Sequence, residues 1–139
     1  MVRPDLAGQK IARAEARLAD AKVRLAVPAE EFLADVADRD LASFYLFLAI
    51  QECLDLAAHW VADAGWAPPD DARSTFDALA DNGAIPRDLA EAMKNAARLR
   101  NRIGLGNAEL DHGRLHREAR EGADALRRFL AAVAGAAGL

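Results

Sequence analysis

Three arginines at alternate positions give the stretch from Ala97 to Asp111 more potential chemistry than any other part of the chain. An arginine side chain stays ionised and grips phosphate oxygens in a bidentate fork, which suits it to a phosphate ester. On a helix, Arg98 and Arg102 share one face. Arg100 points elsewhere, toward whatever the helix packs on, and is therefore expected to be the arginine that is held rigid.

The glycines that follow these arginines predict a loop. Gly104 and Gly106 are expected to end the helix and let the backbone turn, leaving Leu105 and Asn107 displayed beside Arg100. The two glycines do not form a phosphate-binding loop, because the lysine and the helix start that such a loop needs are missing. A short loop next to a rigid arginine is nevertheless where a site is expected.

Two histidines lie close in sequence to this loop. His112 and His116 stand one turn apart at the start of the predicted last helix. Histidine suits proton transfer because its pKa, about 6.5, lies near neutral pH. One interpretation is a base that acts with Arg100, for which the helix N-terminus would help His112 lose its proton. The more ordinary interpretation is a pair of solvent-facing helix residues.

A line of polar residues interrupts the most apolar stretch of the chain at helical spacing: Gln51, Glu52, Asp55, His59 and Asp63. Such a line faces solvent, faces a partner subunit or lines a site. Asp55 and His59 are one turn apart, but two ligands without a third are weak grounds for a metal site. No metal is predicted, and the default interpretation is a histidine oriented by its neighbouring carboxylate.

The order and spacing around Arg100 resemble the R-N-x-x-x-H-x-Y-x-x-x-D signature of the HepT-like branch of the HEPN superfamily. Arg100, Asn101 and Asp111 occupy matching positions. The likeness covers nearly the whole chain and includes residues 31–35, 49–59, 76–85 and the final helix. It departs at two positions, since the family's histidine is Leu105 here and its tyrosine is Asn107.

This resemblance implies a function and a set of partners. HepT-like proteins are small all-helical ribonuclease toxins, usually paired with a minimal nucleotidyltransferase antitoxin, MntA. The chain is therefore expected to be a homodimer that acts on RNA, either tRNA or mRNA, without a metal or a cofactor. Two copies of the site would face each other across the dimer cleft.

The resemblance also implies roles for individual residues. Arg100 would stabilise charge on the phosphate, Asn101 would shape the site, and Asp111 completes the motif. In the family the histidine moves protons and the tyrosine is modified with AMP by the partner; leucine and asparagine can do neither. Losing a positioned acid or base costs about 10²- to 10⁴-fold in rate, so the chain as written is expected to be impaired or inactive.

Four further residues have predicted roles outside the motif. Asp55 and His59, on the longest predicted helix, are expected to support the site, since that helix contributes to the dimer and the cleft in HepT-like proteins. Arg98 and Arg102 are predicted RNA contacts.

Two classes of function therefore stay open. The first is a ribonuclease toxin disabled at two positions, whether the replacements are natural or introduced. The second is a non-catalytic HEPN dimer that binds a nucleotidyltransferase or RNA without cutting. An unrelated helical bundle fits the composition equally well, but it does not explain the ordered motif.

Composition and charge agree with a small helical protein. The chain has 139 residues, 53% of them hydrophobic, which predicts one domain over residues 1–139 with its own core. The net charge is −4, yet residues 94–128 carry +4 and the remainder −8. This asymmetry permits a local phosphate-binding groove on an acidic protein, although a solvated helix of mixed charge gives the same count.

Cysteine usage and hydropathy indicate a compartment. The single cysteine, Cys53, lies in an apolar run, which excludes an internal disulfide and suits a reducing cytosol. The N-terminus lacks the apolar core of a signal peptide, and no apolar run is expected to be long enough to span a bilayer. A soluble cytoplasmic protein without a membrane segment is predicted.

Apolar residues recur at helical spacing nearly throughout, which predicts an all-α bundle of about five helices. The expected elements are a first helix at about 5–26, a short turn at 28–37, the longest helix at 39–64, a short helix opened by a capping box at 74–77 and closed by Asn82-Gly83, a helix from Pro86 that carries Arg100, and a last helix from its cap Asp111 to about 134. The tail from residue 135 is expected to fray.

Overall fold

A computed structural model describes residues 3–105 and 110–139 of the chain. The six helices are α1 (Pro4–Leu25), α2 (Ala29–Ala34), α3 (Val36–Asp63), α4 (Ala72–Asp81), α5 (Arg87–Leu105) and α6 (His112–Ala136). Within these ranges there is no strand. The predicted all-α bundle is confirmed, and since α2 has only six residues, five longer helices match the expected number.

The long helix α3 is the centre of the bundle because it is apolar on most sides. It packs against each of the other five helices. Leu46, Leu56 and Ala57 on α3 are fully buried. Burying one leucine side chain stabilises a fold by about 1.5–3 kcal/mol, so this helix contributes heavily to holding the others in place.

The expectation that no apolar run is long enough to span a bilayer is wrong for α3. By length and composition alone, this helix could cross a membrane. Half of its most apolar 18-residue window is buried inside the bundle. A core helix of a globular protein passes the same test, and the packing of α3 against five neighbours is that of a core helix.

The cap of α4 differs from the predicted capping box at residues 74–77. Asp71 is the cap, and its carboxylate accepts a hydrogen bond from the Ser74 backbone N–H at 2.7 Å. This hydrogen bond lowers the pKa of the Asp71 carboxyl. Asp71 and Ser74 both suit the position chemically. With Asp71 as the cap, the helix begins about one turn earlier than predicted, at Ala72.

Gly83 closes α4, as predicted, in the left-handed region at φ +75°. The Ala84 N–H there donates to the Leu79 carbonyl at 2.9 Å, which completes the C-terminal turn. Replacing Gly83 by alanine is expected to lower the free energy of unfolding by about 1–2 kcal/mol, because L-residues are strained at this φ. Denaturant titration measures the change.

Gly122→Ala in α6 is the matched control for Gly83→Ala. A Cβ at Gly122 meets open space, and the residue is helical. Alanine there is expected to raise the free energy of unfolding by about 0.5–1 kcal/mol, since it restricts the unfolded chain. Equal losses in the two variants would contradict the assignment of strain to Gly83.

The last helix extends slightly beyond its predicted end. It runs to Ala136 rather than about 134, and Ala137 is buried against the core. The Leu139 N–H donates to the Ala134 carbonyl at 2.8 Å. Fraying from residue 135 is therefore not what the structure shows, because alanines 136 and 137 continue the packing of the helix.

Candidate functional site

Arg100 lies near the C-terminal end of α5 and is half-buried against α3. Its Nη1 donates to Gln51 Oε1 at 2.8 Å. Its Nε and Nη2 donate to Asn101 Oδ1 at 3.1 and 2.6 Å. The two acceptors are neutral amides, so they fix the plane of the guanidinium without neutralising its charge. The expectation that Arg100 points toward a packed helix is confirmed, but the packing holds Arg102 as well, through Glu118 of α6.

Gln51 connects Arg100 to the predicted supporting residue Asp55. The Gln51 Nε2 donates to Asp55 Oδ1 at 3.4 Å, and Lys10 Nζ lies 3.5 Å from Asp55 Oδ2. Asp55 is thus linked to Arg100 through one intervening side chain, that of Gln51. A carboxylate that supports Arg100 would act from such a position. His59 is exposed, and no hydrogen bond between His59 and Asp55 exists in the structure as described. The supporting roles of both residues stay predictions.

Leu105, at the motif histidine position, is the last residue of α5 and is 88% exposed. It lines a shallow groove of about 400 Å³ together with Phe47, Arg100, Asn101 and Gly104. The groove therefore has a cation on one wall and apolar carbon where the motif histidine would stand. Asn107, at the motif tyrosine position, lies outside the described residues.

Gly104 does not end α5, contrary to the expectation from sequence. The helix continues through it to Leu105. A Cβ at Gly104 would lie 3.2 Å from Phe47 Cε2, closer than side chains comfortably approach. The glycine lets α5 pass close to the aromatic ring on α3, and a larger residue here would require the Phe47 ring to shift by a few tenths of an ångström.

Arg98 and Arg102 lie on a different face of α5 from Arg100, as their spacing predicted. Both line a concavity of about 270 Å³ against α6. Arg102 forms an ion pair with Glu118 of α6, and Arg98 Nη1 donates to Asn95 Oδ1 at 2.6 Å. The Arg102 pair connects two helices, so its charge is already compensated. RNA contact by these two arginines stays a prediction.

Asp111, the last residue of the motif, caps α6 as predicted. Its carboxylate accepts a hydrogen bond from the Arg114 backbone N–H at 3.0 Å, and this bond lowers the pKa of the carboxyl. The geometry gives Asp111 a part in starting α6. None of the contacts of Asp111 within the described residues tests its catalytic role, which stays a prediction.

His116 does not face solvent, and that expectation is wrong. It is only 5% exposed, its Nε2 lies 2.9 Å from the Val27 carbonyl oxygen, and its ring centroid is 5.0 Å from that of Phe32. A histidine fixed in this way is a core residue joining α6 to the start of α2. It is therefore a poor candidate for a relocated base.

His112 is half-buried at the first turn of α6. Burial, and then the positive charge of Arg39, lower its pKa. The direction agrees with the expectation of an easily deprotonated histidine, but the leading cause is burial rather than the helix terminus. No hydrogen bond joins His112 to Arg100 in the part of the chain that the structure covers.

A second concavity on Arg100 was not foreseen from the sequence, which indicated only a loop at residues 65–71. It measures about 460 Å³, and Trp66, Pro68 and Pro69 of that loop form part of its lining together with Arg100. The only signal of this concavity in the sequence was an aromatic residue, Trp66, close to two prolines. Its position near Arg100 depends on tertiary packing.

Metal and thiol chemistry find little support in the described ranges. No three His, Cys, Asp or Glu side chains within residues 3–105 and 110–139 lie close enough to hold a metal ion. Cys53 is buried, and burial raises the pKa of its thiol. Cys53 is therefore a core residue, as predicted, and its reactive thiolate form is strongly disfavoured.

Comparison with known proteins gives a family and a fold. A sequence model described as ribonuclease HepT-like matches residues 14–133. A tri-AMPylated Shewanella oneidensis HEPN toxin, solved in complex with an MNT antitoxin, is similar at a TM-score of 0.86 and 21% identity, over 94% of this chain and 98% of that chain. No curated protein matches the chain.

Two other solved structures share the fold. A toxin–antitoxin complex with AMP-PNP is similar at a TM-score of 0.83 and 21% identity, over 93% of this chain and 98% of that chain. YutE, a cytosolic protein from Bacillus subtilis, is similar at a TM-score of 0.70 and 16% identity, over 89% and 87% respectively. At these identities the likeness shows the fold alone, which is that of the HEPN bundle.

Proposed function

Because the chain belongs to the HepT-like ribonuclease family, we propose that it is the toxin subunit of a toxin–antitoxin pair and that its RNA-cleaving site lacks a proton-transfer residue. Its partner is an MntA-like nucleotidyltransferase, and its ligand is a cytoplasmic tRNA or mRNA. The toxin–antitoxin complexes that share its fold support this assembly. The observation that carries the proposal is a fixed, charged Arg100 beside an exposed Leu105.

Metal-independent cleavage of RNA has three requirements. The 2′-hydroxyl must lose its proton as it attacks phosphorus, the five-coordinate phosphate must be stabilised, and the leaving oxygen must gain a proton. Arg100 suits the second requirement, because its guanidinium is ionised and already oriented by Gln51 and Asn101. A pre-oriented cation loses little entropy when it binds the phosphate.

Leu105 meets neither proton requirement. Its side chain has no ionisable group, and it stands in the same groove as Arg100. RNA would therefore bind with its phosphate on Arg100, and cleavage would be slower than with a positioned histidine by about 10²- to 10⁴-fold. Asn107 has no hydroxyl, so it cannot accept AMP in the way that a tyrosine does.

Binding without cleavage is the second candidate function, and the same leucine favours it. Leu105 is 88% exposed. One exposed leucine is ordinary on a soluble surface, so it is informative here only through the residues beside it. Beside Phe47 and Arg100 it gives the groove both an apolar and a cationic contact. Such a surface suits a partner that is held rather than cut.

The same face supports homodimerisation. Phe44 on α3 is 54% exposed and lies one turn before Phe47, which contacts Gly104. Phe47 and Leu105 line the groove beside Arg100, and the helical spacing of Phe44 and Phe47 would extend this apolar surface into a strip along α3. A two-fold dimer through this strip would bury it and bring two copies of the arginine to one cleft.

Phe44→Glu is expected to convert the dimer to a monomer, because it places a charge in the buried strip. Light scattering during size-exclusion chromatography measures the mass at matched concentrations. Leu139→Glu changes an exposed leucine at the C-terminus and is expected to leave the dimer intact. A dimer that persists in Phe44→Glu would place the interface elsewhere.

The experiment that tests the proposed function is RNA cleavage by three proteins. They are the chain as written, a variant with Leu105→His and Asn107→Tyr, and that variant with Arg100→Ala added. Cleavage by the second protein alone supports a disabled toxin. Cleavage by the chain as written would mean that another group, with His112 the nearest in sequence, carries the proton. Cleavage by none favours binding without cleavage.

A further inference from the structure

The second concavity on Arg100, here called the Trp66 pocket, has the form of a ligand site. It lies between α3, the connection from α3 to α4, and the first turn of α4. Its volume of about 460 Å³ is within the range of small-molecule sites. Its apolar walls include Leu54, Val61, Trp66, Pro68 and Pro69.

The charges of the pocket suit an uncharged ring better than a phosphate. Arg100 is the one cationic residue among the described residues that line it, whereas Asp55 and Asp71 are anionic. Asp71 already caps α4 through the Ser74 N–H, so the N-terminus of that helix does not present itself to an anion. A flat, neutral ring that carries N–H donors matches apolar walls with carboxylate acceptors.

Arg100 lines both concavities. On one side is the motif groove with Phe47, Asn101 and Leu105, and on the other is the Trp66 pocket. A phosphate held by Arg100 would therefore place an adjoining nucleoside next to the pocket. Proteins that bind single-stranded RNA commonly stack its unpaired bases on aromatic side chains.

From this arrangement we propose that the Trp66 pocket binds an unpaired nucleobase of the RNA strand whose phosphate is held by Arg100. The inference rests on the proposed function, in that it requires the chain to bind RNA. It adds that the strand is single where it meets the protein, because a paired base cannot enter the pocket.

The pocket is already formed without a ligand. Gly65 turns the chain at φ +74°, and the Trp66 N–H donates to the Val61 carbonyl at 3.2 Å. Pro68 and Pro69 restrict the backbone that follows. Little conformational entropy is therefore lost when a base enters, which favours binding.

Asp55 gives the pocket a preference among bases. Its carboxylate is oriented by Gln51 and Lys10 and can accept N–H donors from a base edge. Adenine, cytosine and guanine carry an amino group, whereas uracil presents two carbonyl oxygens beside a single N–H. RNA rich in uracil is therefore expected to bind most weakly.

Filling the pocket tests the proposal. Ala58 and Ala62 line it and are exposed, so phenylalanine at either position occupies the space without disturbing the core. Fluorescence anisotropy with labelled, unstructured pentanucleotides is expected to show that Ala58→Phe and Ala62→Phe each weaken binding about tenfold or more. Ala131→Phe, at an exposed alanine of α6, is the matched control and is expected to bind like the parent.

The outcomes separate this inference from the proposed function. Binding that depends on Arg100 but is unchanged in both filled variants would overturn the pocket and leave the proposed function standing. Absence of RNA binding in the parent would refute RNA binding by the chain, and the pocket inference with it. If the filled variants keep RNA binding but lose co-purification of the co-expressed nucleotidyltransferase, the pocket holds a protein segment and the nucleobase assignment is wrong.

Discussion

A variant that carries both Leu105→His and Asn107→Tyr is expected to cleave RNA about 10²- to 10⁴-fold faster than the chain as written. Leu105 and Arg100 line the same groove. A histidine side chain at position 105 would therefore lie beside a phosphate that is bound to Arg100. Its pKa of about 6.5 lets it exchange protons at neutral pH. Single-turnover cleavage of a labelled RNA measures the chemical step directly.

The single variants show which replacement matters for the rate. Leu105→His alone is expected to recover most of the activity, because only the histidine moves protons. Asn107→Tyr alone is expected to stay inactive. In the double variant, co-expression with the proposed nucleotidyltransferase partner should add AMP to the tyrosine, which mass spectrometry of the intact chain detects, and should silence cleavage. Activity in Asn107→Tyr alone would contradict the role given to Leu105.

The helical periodicity of the chain was enough to separate Arg100 from its two neighbours. Residues four apart share a face whatever the tertiary fold, so Arg98 and Arg102 were correctly placed together. The same rule placed Arg100 on the packed side, where Gln51 holds it. Local geometry therefore predicted which way Arg100 faces, whereas its role in the site rests on the family resemblance and stays a prediction.

His116 shows where periodicity is insufficient. It lies beside the core residue Leu115, at the margin of the apolar face of α6, so its burial depends on what covers that margin. The cover is the connection between α1 and α2, where the Val27 carbonyl meets the ring. A contact between residues 89 positions apart leaves no local pattern in the sequence.

The position of Gly104 inside α5 and the Trp66 pocket were not predicted for the same reason as the burial of His116. A glycine near a helix end usually signals a turn, but Gly104 lies inside α5, close to Phe47 on another helix. Trp66 and its prolines correctly predicted a loop, yet only packing against α3 and α4 places that loop next to Arg100. Each of these two features is made by distant segments of the chain, and neither was found from the sequence.

Arg100→Ala in the double variant is expected to lower RNA cleavage by about 10²- to 10³-fold, since it removes the charge that we propose stabilises the five-coordinate phosphate. The loss should appear in both KM and kcat, because Arg100 is proposed to hold the phosphate of the bound RNA and to stabilise the further negative charge that the phosphate gains in the transition state. Arg127→Ala is the matched control, because this exposed arginine of α6 pairs with Asp124 and has no predicted role in the site. Equal losses in the two variants would assign both arginines to general RNA attraction.

Arg100→Lys distinguishes charge from geometry at the same position. Lysine keeps the positive charge but cannot donate through a planar fork, so it cannot reproduce the bonds to Gln51 and Asn101. Rates for the lysine variant are expected to lie between those of the parent double variant and Arg100→Ala. Full activity in Arg100→Lys would mean that a point charge suffices, and the orientation of Arg100 by its two amide acceptors would then have no part in cleavage.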